Sequence, residues 1–142
     1  MTNDPVPQED KPGGSKLLRC ILVDDEEYAR EMLKRILAKY TPFAEVVAEA
    51  ESVNGAVQAI ATESPDVVFL DIEIIGGTGF DVLDRVRTGH FITVFTTAHE
   101  NYRAESGRYQ NVRFVLKPIS ISVLNEVLRV FHGSATLLEG DT

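Results

Sequence analysis

The stretch Val67-Val68-Phe69-Leu70-Asp71 constrains the fold of this chain more than any other. Four apolar residues run unbroken into one carboxylate, and Glu73 and the turn residues Gly76, Gly77 and Gly79 follow. A short apolar run bounded by turn signals is the pattern of a strand buried on both faces. Such a strand belongs in the middle of a parallel sheet, and open α/β sheets place their ligands at the C-terminal ends of their strands. Asp71 is thus predicted at a ligand-bearing edge. Asp is also a common turn opener, so the functional reading depends on what the other strand ends carry.

The rest of the chain alternates in the same way. Leu17 to Val23 is a predicted strand ending in Asp24-Asp25-Glu26-Glu27, acids that favour a helix N-terminus. Ala29, Leu33, Ile36, Leu37 and Tyr40 follow at helical spacing until Thr41-Pro42 breaks the pattern. Phe43 to Ala50 is a second strand, and Ser52 is placed to cap a helix with Ala56, Val57, Ile60 and Ala61 on its apolar face. After the strand to Asp71, the glycine-rich turn leads to a helix with Phe80, Leu83 and Val86 turned inward. Phe91 to Phe95 is a fourth strand, closing with Thr96-Thr97-Ala98. Glu100 to Gln110 makes a weakly specified helix because of its polar content and Gly107. Val112 to Leu116 is the last strand, stopping at Lys117-Pro118. Ser120 then caps a helix with Ile121, Leu124, Leu128 and Phe131 on one face and Gly133 as its terminator.

Five strands alternating with five helices predict an α/β fold: a flavodoxin-like (βα)5 doubly wound parallel sheet of strand order 2-1-3-4-5. Residues 1–15 are rich in proline, glycine and charge and read as a disordered tail. The folded domain spans 16–133, and 134–142 is a short C-terminal tail. The 142 residues suit one domain. A net charge of -8 argues against a nucleic-acid surface. The single Cys20 forbids an internal disulfide and fits a reducing cytoplasm. No apolar run reaches membrane-spanning length and no secretory signal opens the chain, so no membrane partner is expected.

In that strand order the first and third strands are neighbours, which brings Asp24, Asp25 and Asp71 to one edge. Two carboxylates ~4 Å apart repel by about 4 kcal/mol at an effective dielectric of ~20, so some become protonated or a cation sits among them. Oxygen-only ligands point to Mg²⁺, and an ion held by few protein ligands is typical of sites that handle phosphoryl groups. Thr97 offers a hydroxyl to a phosphoryl oxygen, Ala98 leaves room for a large donor, and Lys117 supplies a point charge. Asp71 is the best-placed nucleophile, and aspartyl phosphates are an accepted covalent chemistry. Taken singly, the acid pair could be helix-capping residues, Thr97 an ordinary strand residue and Lys117 a solvated loop lysine.

Val23-Asp24-Asp25-Glu26, Leu70-Asp71-Ile72-Glu73, Phe95-Thr96-Thr97-Ala98 and Leu116-Lys117-Pro118-Ile119 resemble the signatures of response regulator receiver domains. The likeness runs from about Leu17 to His132. Cys20 to Asp25 with Ala29-Arg30-Glu31-Met32-Leu33 resembles receivers of LytTR-type regulators in particular, and Gly79-Phe80, His99 and Tyr102 add to that. The resemblance implies that Asp71 accepts phosphate from a sensor histidine kinase or phosphotransfer protein. It implies that Asp25, Asp71 and the backbone carbonyl of Glu73 hold Mg²⁺ directly, with Asp24 acting through water. It implies that Thr97 and Lys117 bind the phosphoryl oxygens, that Phe114 turns inward when Thr97 moves, and that Lys117-Pro118 is cis. Glu73 and His99 stand where such domains tune attack of water on the phosphoaspartate. The chain departs from the LytTR pattern at Glu27 and Ile75, where that type carries proline, and at Ser106-Gly107 in the fourth helix.

These observations predict a cytoplasmic phosphoacceptor switch of two-component signalling rather than a turnover enzyme. Its fourth helix, last strand and fifth helix would signal to a downstream protein, and phosphorylation could drive homodimerisation. It would be a stand-alone receiver or the receiver portion of a LytTR-type DNA-binding regulator. The competing class is a magnesium-dependent phosphohydrolase with an aspartate nucleophile, for which the chain has no residues to spare for a cap.

Overall fold

Strand propensity, alternation and caps assemble the chain in the predicted order. The structure, a computed structural model, describes residues 17–86 and 90–129. The tails assigned to 1–15 and 134–142, and Phe131 and Gly133, lie outside these. Among the described residues the elements run β1 (Leu18–Val23), α1 (Glu27–Tyr40), β2 (Ala44–Ala50), α2 (Val53–Glu63) and β3 (Val67–Asp71). There follow β4 (Glu73–Ile74), β5 (Gly77–Thr78), α3 (Gly79–Arg85), β6 (Ile92–Thr97), a 3₁₀ turn (Glu100–Tyr102), α4 (Arg103–Ser106) and β7 (Val112–Leu116). A last helix, α5, covers 121–129.

Five strands form one parallel sheet in the order β2-β1-β3-β6-β7, which is the expected 2-1-3-4-5 winding. The unexpected β4 and β5 are a two-residue antiparallel pair outside that sheet. The chain reverses between them at Gly76, φ 91°, and Gly77, which opens β5 at φ 149°, conformations that cost glycine little.

Side chains alternate across the sheet as period-two geometry requires. Val68 and Leu70, with Ile21 and Val23, face one side and pack with Val53, Ala56, Ile60 and Phe80 of α2 and α3. Val67 and Phe69, with Cys20 and Leu22, face the other and meet Leu37 of α1 and Leu124 and Leu128 of α5. All five residues of β3 are buried, so it is the spine of both layers. Each large side chain withdrawn from water there contributes about 1.5–3 kcal/mol.

Most of each expected helix face meets the core, and single residues depart from it. In α1 only Leu37 is fully buried and Tyr40 is exposed, because the helix ends where the Thr41 hydroxyl and amide both bond the Leu37 carbonyl. In α2 the buried set is Val53, Ala56 and Ile60, while Ala61 faces solvent; the Ser52 side chain caps it by accepting from Gly55 N–H at 3.0 Å. In α3 Phe80 is buried and Leu83 and Val86 pack partly buried against the same core, as expected, while Val82 is buried as well; a capping box between Thr78 and Asp81 sets the helix start. In α5 Leu124 and Leu128 face the core but Ile121 lies on the surface. Ser120 caps that helix, its hydroxyl accepting from Val123 N–H at 3.1 Å.

The weakly specified fourth helix is shorter than the sequence pattern allows. A single 3₁₀ turn passes into four residues of α4, and the Ser106 hydroxyl bonds back to the Tyr102 carbonyl at 2.9 Å. Ser106 is buried, so this polar residue needs that bond. Polar residues and Gly107 leave the segment without the apolar face that would extend it.

Candidate functional site

The site is built where β1, β3, β6 and β7 end together. Register places Val23 beside Leu70, Asp71 beside Thr96 and Thr97 beside Leu116, so the residues that follow each strand emerge at one edge. Asp71, the last residue of β3, is buried, and so are Asp24 and Thr97. Carboxylate oxygens of Asp24, Asp25 and Asp71 all lie within 4.8 Å of one another, Asp25 being the exposed member. The predicted convergence of these three acids is thus present.

Local structure fixes Asp24 and the backbone of Asp71. Asp24 Oδ1 accepts the Glu26 N–H at 2.9 Å, a short turn that starts α1, and its carbonyl accepts from Arg30 Nη1 at 2.7 Å. Behind Asp71, Gly79 allows the backbones to approach. A Cβ there would stand 2.9 Å from the Asp71 carbonyl oxygen and 3.0 Å from Leu70 Cγ. The Gly79 amide also bonds the Ile72 carbonyl at 2.8 Å.

Lys117 completes the cluster. Its Nζ donates to Asp24 Oδ2 at 2.8 Å and to Asp71 Oδ2 at 3.2 Å. Its backbone N–H bonds the Thr97 carbonyl at 2.7 Å, which aligns the end of β7 with that of β6, and the Lys117-Pro118 bond is cis as expected. Burial pulls the Lys117 ammonium pKa down, but the hydrogen bond to Asp24 and the Asp71 charge outweigh it and the net shift is upward. Burial pushes the Asp71 carboxyl up; the Lys117 charge opposes this, the Asp24 charge adds to it, and the result is about 6. An aspartate near neutrality in a cleft of acids is an arrangement common at functional sites.

The donor set suits a hard divalent cation. All the candidate ligands are oxygens, and a separation within 4.8 Å is close to the ~4.2 Å that spans an ion with ~2.1 Å bonds. Lys117 shows that a cation is accommodated between two of the acids.

Thr97 Oγ1 faces the same edge and accepts the His99 N–H at 3.1 Å. Phe114 is half-buried on β7, with the Arg103 guanidinium 4.6 Å above its ring. Glu73 and His99 meet across the rim, with Glu73 Oε1 3.6 Å from His99 Nε2. The contact that strand-end reasoning did not foresee is Tyr102, whose phenol donates to Glu73 Oε2 at 2.7 Å. No spacing signal in the sequence links residues 73 and 102.

Residues 20–129 match the family of the response regulator receiver domain. The chain belongs to that family. This receiver is 38% identical over 107 residues to an uncharacterized response regulatory protein of Vibrio cholerae, covering 74% of the chain and 41% of that protein. It is 30% identical over 118 residues to the sensory transduction protein LytT of Bacillus anthracis, covering 81% and 47%. The chain therefore spans less than half the length of these curated relatives. Among solved structures it superposes on a DNA-binding response regulator of the LuxR family from Staphylococcus aureus with a TM-score of 0.72 and 26% identity, covering 82% of the chain and 99% of that structure. The receiver is thus a two-component signalling module with LytT-like relatives. Among its described residues no helix is long and apolar enough to cross a membrane.

Proposed function

We propose that the receiver takes a phosphoryl group on Asp71 from the phosphohistidine of a sensor histidine kinase or phosphotransfer protein, and that the added charge reshapes the face of α4, β7 and α5 for a downstream protein. The observation that carries this reading is Lys117 Nζ bridging Asp24 and Asp71 within the three-acid cluster. A carboxylate beside a cation at the end of a buried strand is both charged enough to attack and positioned to be neutralised afterwards.

In this reading a carboxylate oxygen of Asp71 forms the new bond to phosphorus. The donor's bond to phosphorus breaks, and the leaving group departs with that electron pair. Lys117 and the Thr97 hydroxyl take phosphoryl oxygens, offsetting charge that would otherwise build against Asp24 and Asp25. Asp25, Asp71 and the Glu73 backbone carbonyl would hold Mg²⁺ directly, with Asp24 acting through water. When bound, the ion supplies charge neutralisation at the phosphoryl oxygens. Arg30 and the Glu26 amide keep Asp24 oriented, and Gly79 keeps the Asp71 backbone close to α3. A phosphoaspartate carries roughly -1.5 to -2 charge by analogy with other phosphorylated side chains. That charge biases Thr97 toward it, leaves room behind for Phe114, and so shifts α4 and β7.

The test is incubation with acetyl phosphate and Mg²⁺ followed by intact mass. The expected product carries one phosphate, is acid-resistant and base-labile, requires the metal, and is absent in Asp71→Asn. Absence of the adduct in the wild type, or its persistence in Asp71→Asn, would contradict the assignment. Rapid multiple turnover without a stable adduct would instead favour the phosphohydrolase.

A further inference from the structure

Glu73 follows Asp71 by two residues but stands outside the three-acid cluster. Its side chain is about half exposed, yet its carboxylate is held between the Tyr102 phenol at 2.7 Å and His99 Nε2 at 3.6 Å. Tyr102 joins the two short helical pieces of its segment. It closes the 3₁₀ turn and precedes α4, its carbonyl receives the Ser106 hydroxyl, and its ring lies 6.0 Å from Phe80. Phe80 lies 5.1 Å from Phe95 and stacks on Tyr109 at 5.6 Å, so the ring of Tyr102 joins an aromatic cluster behind β6. One hydrogen bond therefore ties the loop after Asp71 to the segment after Thr97.

That bond is charge-assisted and depends on where the Glu73 carboxylate stays. New negative charge on Asp71 repels this carboxylate across the cleft rim. The phenol cannot follow without moving the segment it begins. We propose that the Tyr102–Glu73 hydrogen bond is a latch that holds the 3₁₀ turn and α4 in the resting arrangement and that a phosphoryl group on Asp71 opens. The latch rests on the reading of Asp71 as the phosphoacceptor. It couples the site to α4 by a route separate from Thr97 and Phe114. Because coupling is reciprocal, removing the latch makes the phosphorylated arrangement easier to reach.

The test follows amide hydrogen exchange in α4, where the Gly107 N–H bonds the Arg103 and Ala104 carbonyls and the Arg108 N–H bonds that of Glu105. In the wild type, acetyl phosphate with Mg²⁺ should speed exchange at these amides. Tyr102→Phe keeps the ring and its packing but loses the donor. Its unphosphorylated form should exchange roughly fivefold faster, the effect of a net hydrogen bond near 1 kcal/mol, and phosphorylation should add little. Glu73→Gln keeps an acceptor and loses the charge, so its resting exchange should rise less than that of Tyr102→Phe while the phosphorylation-induced change shrinks. A residue with only a structural role would alter both states equally. Phosphorylated wild type with unchanged α4 exchange, or Tyr102→Phe matching wild type in both states, overturns the latch. If intact mass shows no phosphate on any variant, the phosphoacceptor reading fails and the latch falls with it.

Discussion

Replacing Asp71 with Asn should stabilise the metal-free protein. The carboxyl of Asp71 is raised from 3.8 to about 6, with burial as the main cause and the Asp24 charge adding to it against the pull of Lys117. At ~1.36 kcal/mol per pH unit, ionising it in the folded state costs about 3 kcal/mol relative to the unfolded chain. An acid whose folded pKa is raised binds its proton more tightly when folded. Stability therefore falls as pH rises from about 4 to about 6 and levels off above that. Asn resembles the protonated acid in shape and charge, and Lys117 keeps its 2.8 Å bond to Asp24. Urea unfolding in EDTA should thus show Asp71→Asn about 2–3 kcal/mol more stable at pH 8, with the gap closing near pH 4. Saturating Mg²⁺ should narrow or reverse the gap, because the wild type gains a ligand. Parallel pH profiles for the two proteins, or a less stable Asn variant at pH 8, would refute the view that this carboxylate is held against its own solvation.

Three further outcomes follow from the same geometry. Gly79→Ala places a methyl 2.9 Å from the Asp71 carbonyl and should cost about 1–3 kcal/mol in urea unfolding while also slowing phosphate uptake. Lys117→Gln should reduce the rate of acetyl phosphate labelling by roughly two orders of magnitude, the loss expected when one donor to developing charge is removed, as followed by intact mass over time. Replacing Glu73 or His99 with alanine should change the lifetime of the phosphorylated form, read by the decay of the mass adduct after donor removal; identical decay in both variants and wild type would exclude them from control of hydrolysis.

How much of this was legible in the sequence depends on how local the deciding contact is. Val67 to Asp71 reads as a buried central strand because helices cover both faces of the sheet there and demand apolar residues on each, and β3 is buried along its whole length. The convergence of Asp24, Asp25 and Asp71 follows from strand order alone. Helix faces were legible in the main but not in their width: in α3 Phe80, Leu83 and Val86 meet the core as expected, and the buried Val82 widens that face beyond the three apolar positions the spacing picks out. The β4–β5 pair is two residues long on each strand, too short for any periodicity to register. The Tyr102–Glu73 bond joins residues 29 apart through side chains on the short β4 and the 3₁₀ turn, and no pattern in one chain encodes it.

The most direct test of the account is a crystal structure of the receiver grown with Mg²⁺ and beryllofluoride, a stable mimic of the phosphoryl group. The account predicts the mimic on an Asp71 carboxylate oxygen, within hydrogen-bond distance of Thr97 Oγ1 and Lys117 Nζ, and an ion ~2.1 Å from oxygens of Asp25 and Asp71. An Asp71 carboxylate left bare at saturating mimic, or an ion that engages neither Asp25 nor Asp71, would contradict it.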